Sequence, residues 1–324
     1  MRLTDVRLRM AGYGAPLVLL AILLPFGSHA QTSPDPLAAA RSMADQGKLT
    51  QAETALRAYL GTSPDSADAH FLLGYVLFRE KKARESLAEF TAGAKTRRPG
   101  PEELKTVASD YVLLDDLVDA DKWFSEVIAE SPNYANAHYL LGRTRFNEND
   151  YRGAIASFER ALALHPKYIE AENNIGLAWR ELNDPDKART AFETAIEWQG
   201  AAPTDAQPFL NLGRLYGDQH DFAKAIEFLQ RAAELAPNNP TVHEELSHVY
   251  AAQPDLTKAQ AELEKAIALA PNVSSLHYQL GQLYRRQGLA AQAKKEFEIT
   301  AKLSGSHSSD KTPNPLSITN PNEP

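Results

Sequence analysis

The stretch HEELSH (243–248) puts two histidines and two glutamates within six residues. These are the residue types that bind zinc and activate water. The spacing argues against that chemistry. A zinc-protease helix needs its histidines four apart, about one turn, so that both rings reach one metal. His243 and His248 are five apart, roughly 140° around a helix of 3.6 residues per turn. Nucleophilic chemistry has no better footing. The chain has no cysteine, no G-x-S-x-G stretch and no phosphate-binding glycine loop. Asp and Glu are plentiful, but they are spread in the manner of a solvated helical surface. The residues therefore imply no catalytic site, no metal and no cofactor.

The elements that hold these residues are written as a repeat. AHFLLG starts at residue 69 and AHYLLG at residue 137. Aligned on that pair, a small residue recurs at Ala40, Gly74, Ala108, Gly142, Gly176, Gly213, Ser247 and Gly281. The step is 34 residues, with three extra near Ala202–Asp205. Twelve residues after each comes a second small residue, from Ala52 and Ser86 to Ala259 and Ala293. Four further on is a bulky one, such as Phe90, Phe124, Phe158, Phe192 or Phe297. Pro64, Pro132, Pro166, Pro237 and Pro271 close five of the units.

Small and apolar positions three and four apart mark one face of a helix. Each unit holds two such stretches around a turn, as in NEND (147–150) or RQG (286–288). Proline then ends the second stretch. Gly142 and Ala154 allow two helices to approach closely, and Phe158 fills the wedge where they splay. A lone helical hairpin cannot bury both of its faces, so the units must stack. His70, His138, His243 and His277 fall at one place in their units, which reads as half-buried aromatic packing.

The unit ANAHYLLGRTRFNENDYRGAIASFERALALHP (135–166) carries Leu141, Gly142, Tyr151, Ala154, Phe158, Ala161 and Pro166. On these residues the chain resembles the tetratricopeptide repeat (TPR) family. The resemblance implies an all-α fold, with TPR helical hairpins stacked into a right-handed superhelical solenoid over 31–303. Its units lie near 33–66, 67–100, 101–134, 135–168, 169–205, 206–239, 240–273 and 274–303. The first and third units depart most. Pro36 stands at an aromatic position of the first, and the third lacks the glycine and a clear turn.

In that family the concave groove is lined by the first helix of each hairpin. Carried onto this chain, the resemblance implies a partner groove built around Tyr139, Arg143, Phe146, Asn173, Asn174, Arg180, Asn211 and Arg214. Asn174 and Asn211 hold the place from which asparagine-laddered members grip the backbone of an extended peptide. Arg143, Arg180 and Arg214 would form a basic stripe for acidic groups, because guanidinium forks bind carboxylates. Exposed aromatics beside these residues would complete a binding surface. The two-lysine, two-asparagine, one-arginine set of the carboxylate-clamp members is absent. The implied function is a non-enzymatic scaffold or adaptor that holds a protein or extended peptide. The alternative is a structural or self-associating subunit of a cell-envelope assembly.

The ends have their own composition. Arg2, Arg7 and Arg9 precede the uncharged run APLVLLAILLPF (15–26), and Ser28 and Ala30 flank His29. This pattern matches a secretory signal peptide over 1–30, cut after Ala30. The run is short for a membrane span of roughly 20 residues. The expected product is exported, periplasmic or extracellular, and not inserted in a membrane once the segment is cut; the alternative is an uncleaved anchor. The 324-residue chain has a net charge of -8. Residues 1–30 hold three Arg against one Asp, so the remainder stands at about -10. That balance argues against nucleic-acid binding, which needs an excess of Lys and Arg. Residues 304–324 are rich in Ser, Pro and Asn and are expected to be a disordered tail.

Overall fold

The computed structural model describes residues 35–306. Residues 1–30, expected as a signal peptide, and the expected tail from residue 307 onward lie outside the described residues. Sixteen α-helices pair into eight hairpins among the described residues, and none of these residues forms a strand. The hairpins are α1 (Pro36–Asp45) with α2 (Leu49–Thr62), α3 (Ala67–Arg79) with α4 (Ala83–Ala94), and α5 (Pro101–Leu113) with α6 (Leu117–Glu130). Next come α7 (Ala135–Asn147) with α8 (Tyr151–Leu164), α9 (Ile169–Glu181) with α10 (Pro185–Gln199), and α11 (Gln207–Asp218) with α12 (Phe222–Leu235). The last two are α13 (Pro240–Ala252) with α14 (Leu256–Leu269) and α15 (Ser274–Arg286) with α16 (Ala290–Ser306). Helix α16 runs three residues into the segment expected as tail.

One turn device joins the two helices of most hairpins. A residue in the left-handed region reverses the chain, at Lys81, Asp115, Asn149, Asn183 and His220 with φ between 57° and 64°. Glycine takes this role at Gly47 and Gly288. In four hairpins an aspartate comes next and caps the second helix, and Asp255 caps α14 without such a residue before it. Asp116, Asp150, Asp184, Asp221 and Asp255 each accept a hydrogen bond from the backbone N–H three residues on. The third hairpin, expected to lack a clear turn, has this one: Asp115 at φ 61° and Asp116 as cap. In the first hairpin Pro36 heads a ten-residue helix, where its missing N–H leaves no bond unmade.

Within each hairpin the small residue meets the bulky one. A Cβ placed on Gly142 would sit 2.6 Å from the Phe158 ring, and one on Gly176 would sit 2.5 Å from Phe192. Phe124, Phe158 and Phe192 are fully buried in these wedges. Between hairpins, α8 packs on α9. Tyr139, Phe158, Ala171 and Ile175 form one cluster across that seam. The core is therefore a chain of nearest-neighbour seams.

The four in-register histidines correct the packing reading. Their Nε2 atoms lie 2.9–3.0 Å from the carbonyl oxygens of Pro64, Pro132, Pro237 and Pro271, six residues upstream. Nδ1 of His70, His243 and His277 lies 2.6–2.7 Å from Glu89, Glu262 and Glu296. Each of these three rings is a polar bridge from the end of the preceding unit to the second helix of its own. Their fixed place in the repeat reflects hydrogen bonding, because a carbonyl and a carboxylate under a seam both require partners.

Candidate functional site

Helices α7, α9 and α11 present the residues assigned to the groove. Their register is set by the seams just described. The sequence expects exposed aromatics there, and the structure corrects this. Tyr139 and Phe146 are buried, and so is Phe71 in the second hairpin. Tyr139 packs 4.8 Å from the Tyr168 ring, centroid to centroid, and Phe146 lies 5.2 Å from Tyr151. Tyr139 is covered from the entry to α9, and Phe146 from α8 of its own hairpin.

The asparagines also turn inward. Asn174 and Asn211 are 3% and 4% exposed. Asn174 Nδ2 donates to the Tyr139 hydroxyl at 3.3 Å. Asn211 Nδ2 donates to Asn173 Oδ1 at 2.9 Å. These amides tie α7 to α9 and α9 to α11, so their first duty is to the stack. A buried amide without such a partner would cost about 1–3 kcal/mol.

The polar line continues along α11, α13 and α15. Arg214 Nε donates to Glu245 at 2.8 Å, joining α11 to α13. Gln279 Nε2 donates to Glu244 at 2.6 Å, and its Oε1 lies 2.9 Å from His248 Nε2. A signal was available: Glu244, Glu245 and Gln279 occupy the same neighbouring places in their units as Asn173, Asn174 and Asn211. Successive first helices are thus laced by tyrosine–amide, amide–amide, guanidinium–carboxylate and amide–carboxylate pairs.

The charge balance differs from the expected stripe. Arg180 pairs with Glu181 at 3.1 Å, and Arg214 is neutralised by Glu245. Arg143 lies over the Tyr139 ring at 5.7 Å. All three arginines are half-buried. The face is a set of charge pairs on an acidic chain, not a basic track. Burial pushes the Glu245 carboxyl up, but the hydrogen bond to His248 and the Arg214 charge outweigh it and hold it below its ordinary value. The same bond to Glu245 is the main cause raising His248 above the usual histidine value. Burial, then the nearby Glu159, raises Glu172 on α9.

His243 and His248 point to different partners, Pro237 with Glu262 and Gln279 with Glu245. Among the described residues no group of three or more His, Cys, Asp and Glu side chains could hold a metal ion. None of the described helices is long and apolar enough to cross a membrane.

A further acid, missed in the sequence, lies in the third hairpin. Asp110 on α5 is fully buried, where other first helices carry Val76, Ala178 or Leu215. Its Oδ2 lies 2.5 Å from Ser86 Oγ, which also sits 2.8 Å from the Gly74 carbonyl oxygen. A hydroxyl has one proton to donate. A protonated Asp110 that donates to Ser86, while Ser86 donates to Gly74, completes both bonds. Burial pushes this carboxyl up to about 7, against an opposing contribution from Ser86.

A tetratricopeptide repeat family model matches residues 37–101, 139–206 and 210–274. A TPR repeat-containing protein of Pseudomonas aeruginosa is 31% identical over 115 residues, 34% of this chain and 47% of that protein. The mouse protein O-mannosyl-transferase TMTC1 is 26% identical over 152 residues, 45% of this chain and 16% of that protein. The chain thus spans less than half the length of these curated relatives. Among solved structures, a tetratricopeptide repeat protein from Parabacteroides merdae superposes with a TM-score of 0.62 at 18% identity. It covers 80% of this chain and 97% of that one. PilW, a type IV pilus biogenesis factor, gives 0.56 at 21% identity, over 65% and 95%. A chain of the Cut9–Hcn1 hetero-tetramer of the anaphase-promoting complex gives 0.59 at 15%, over 83% and 52%. At these identities the likeness is one of fold.

Proposed function

The chain belongs to the tetratricopeptide repeat family, and from that premise we propose that it is an exported, non-enzymatic scaffold or adaptor. It holds a protein or an extended peptide segment on the face of its first helices. The observation that carries this reading is the lacing of α7, α9, α11, α13 and α15. Buried Tyr139, Asn173, Asn174 and Asn211 fix the wall, and half-buried Arg143, Arg180 and Arg214 stand on it. Arg214 serves the α11–α13 seam through Glu245, whereas Arg180 pairs with Glu181 on its own helix. Relatives in an anaphase-promoting complex and in pilus biogenesis are named for assemblies, which agrees with a binding role. Export rests on the basic start and short apolar run of residues 1–30.

The partner segment carries Asp, Glu or a free carboxylate. Such groups can exchange with Glu181 on Arg180, a pair accessible enough to open at small cost, since exposed ion pairs are worth about 0–1 kcal/mol. The test is calorimetry with a partner captured from the exporting host. Arg180→Glu should weaken binding while circular dichroism stays unchanged. The loss should be larger at 0.01 M than at 0.1 M salt, where the screening length falls from about 30 Å to about 10 Å. Equal affinity for both proteins at low salt would remove this face as the site.

A further inference from the structure

The eight turns between first and second helices serve as controls for one another. Most of them are polar at their tips, although the fifth carries Leu182 and the eighth Leu289, the latter 36% exposed. The third is not. Leu113, Leu114 and Val118 are 46%, 36% and 75% exposed. At the same three places hairpin two carries Arg79, Glu80 and Arg84, and hairpin seven carries Ala252, Gln253 and Thr257. Apart from Leu182, no other hairpin has a large apolar residue at any of the three. The hairpin fold therefore does not require them: their neighbours do without, Val118 lies largely in water, and Leu113 and Leu114 are partly exposed. Asp115 and Asp116 are exposed between them, and Asp119 follows on α6. The result is a compact apolar knob with an acidic rim, within seven residues of chain.

We propose that the α5–α6 turn is a second docking surface, which takes an amphipathic helical segment of another protein whose apolar side chains are flanked by Lys or Arg. The charge decides the occupant. A second copy of this chain would bring the same aspartates against these, and like charges at close range cost affinity. An anionic lipid surface is repelled for the same reason. A basic amphipathic segment satisfies both parts of the knob at once. This surface is separate from the wall of first helices and stands or falls independently of it.

The probe is a synthetic helical peptide of leucine and lysine, with a leucine–glutamate peptide of the same pattern as its partner control. Calorimetry with the full chain should show one site for the lysine peptide and at least about tenfold weaker binding of the glutamate peptide. Leu113→Ala, Leu114→Gln and Val118→Thr together install the residues of hairpin seven without changing charge. This triple variant should bind the lysine peptide at least about tenfold more weakly, with an unchanged thermal unfolding curve. Val118→Thr alone, at the most exposed place, should show part of the loss and serves if the triple variant does not fold. Asp115→Asn with Asp116→Asn should weaken binding most at low salt. Asparagine already stands at the Asp115 place in Asn149 and Asn183, and it caps helices as aspartate does. Equal binding of the two peptides, or full binding by the folded triple or single variant, overturns the proposal. So does sedimentation showing a dimer that the triple variant dissociates. Binding to phosphatidylserine vesicles that these substitutions abolish would do the same.

Discussion

Asp110 shows how one residue can couple the stack to pH. In the unfolded chain its carboxyl ionises near 3.8, whereas burial holds it at about 7 in the fold. The folded chain thus keeps a proton that the unfolded chain has lost. Stability from this group is complete below pH 4 and falls as pH rises through 7. Asp110→Val supplies the residue of Val76 and Val249 at the same place. It should raise the denaturant midpoint at pH 8 and flatten its change between pH 5 and 8. An unchanged pH slope would acquit Asp110. The asparagines make a different point. Asn211→Ala strips Asn173 Oδ1 of its donor in a buried seam, and should lower stability by about 1–3 kcal/mol in urea titration. If stability held and only partner affinity fell, the amide would belong to the groove after all. These amides could be named from the sequence, because the repeat fixes their place on the first helix. Their role could not, since 3% exposure is a property of the next hairpin's position.

At the scale of the element, the hairpin is a set of local signals that agree. The left-handed residue, the aspartate cap and the closing proline all act within a few residues, and for that reason the helix pairs are legible in the sequence. The histidine bridges are a longer device. His243 reaches six residues back to Pro237 and nineteen forward to Glu262. The sequence shows a ring at a constant place, and a ring invites a packing explanation. His243→Phe separates the two readings. Phenylalanine keeps the bulk but leaves the Pro237 carbonyl and the Glu262 carboxylate without that partner. Thermal or urea unfolding should show a loss of about 1–3 kcal/mol. A neutral or stabilising effect would restore the packing reading. The third hairpin was the hardest to read, because LLDDLVD hides its turn among leucines. Those leucines are the feature that the turn itself does not explain.

At the scale of the molecule, stability is a sum of seams between neighbours, and the ends have neighbours on one side only. Tyr278 on α15 is 49% exposed, whereas Tyr139 at the same place inside the stack is 2%. We propose that the chain is exported and begins at Gln31 after removal of residues 1–30. Intact-mass measurement of protein recovered outside the cytoplasm checks this, and a mass retaining Met1 would point to a membrane anchor. The sequence alone determined the all-α class, the period and the small-on-bulky contacts inside the hairpins, such as Gly142 on Phe158. It could do so because those depend on contacts within a unit or between adjacent units, which the period repeats in the open. Only the tertiary structure decided which polar residues are spent on the stack and which stay available to a partner. It paired Arg214 with Glu245, sank the asparagines and aromatics, buried Asp110, left Val118 in water and exposed Leu113 and Leu114 in part. Burial and pairing across hairpins join residues some 24 to 38 positions apart, and a helical period does not encode which of them will meet.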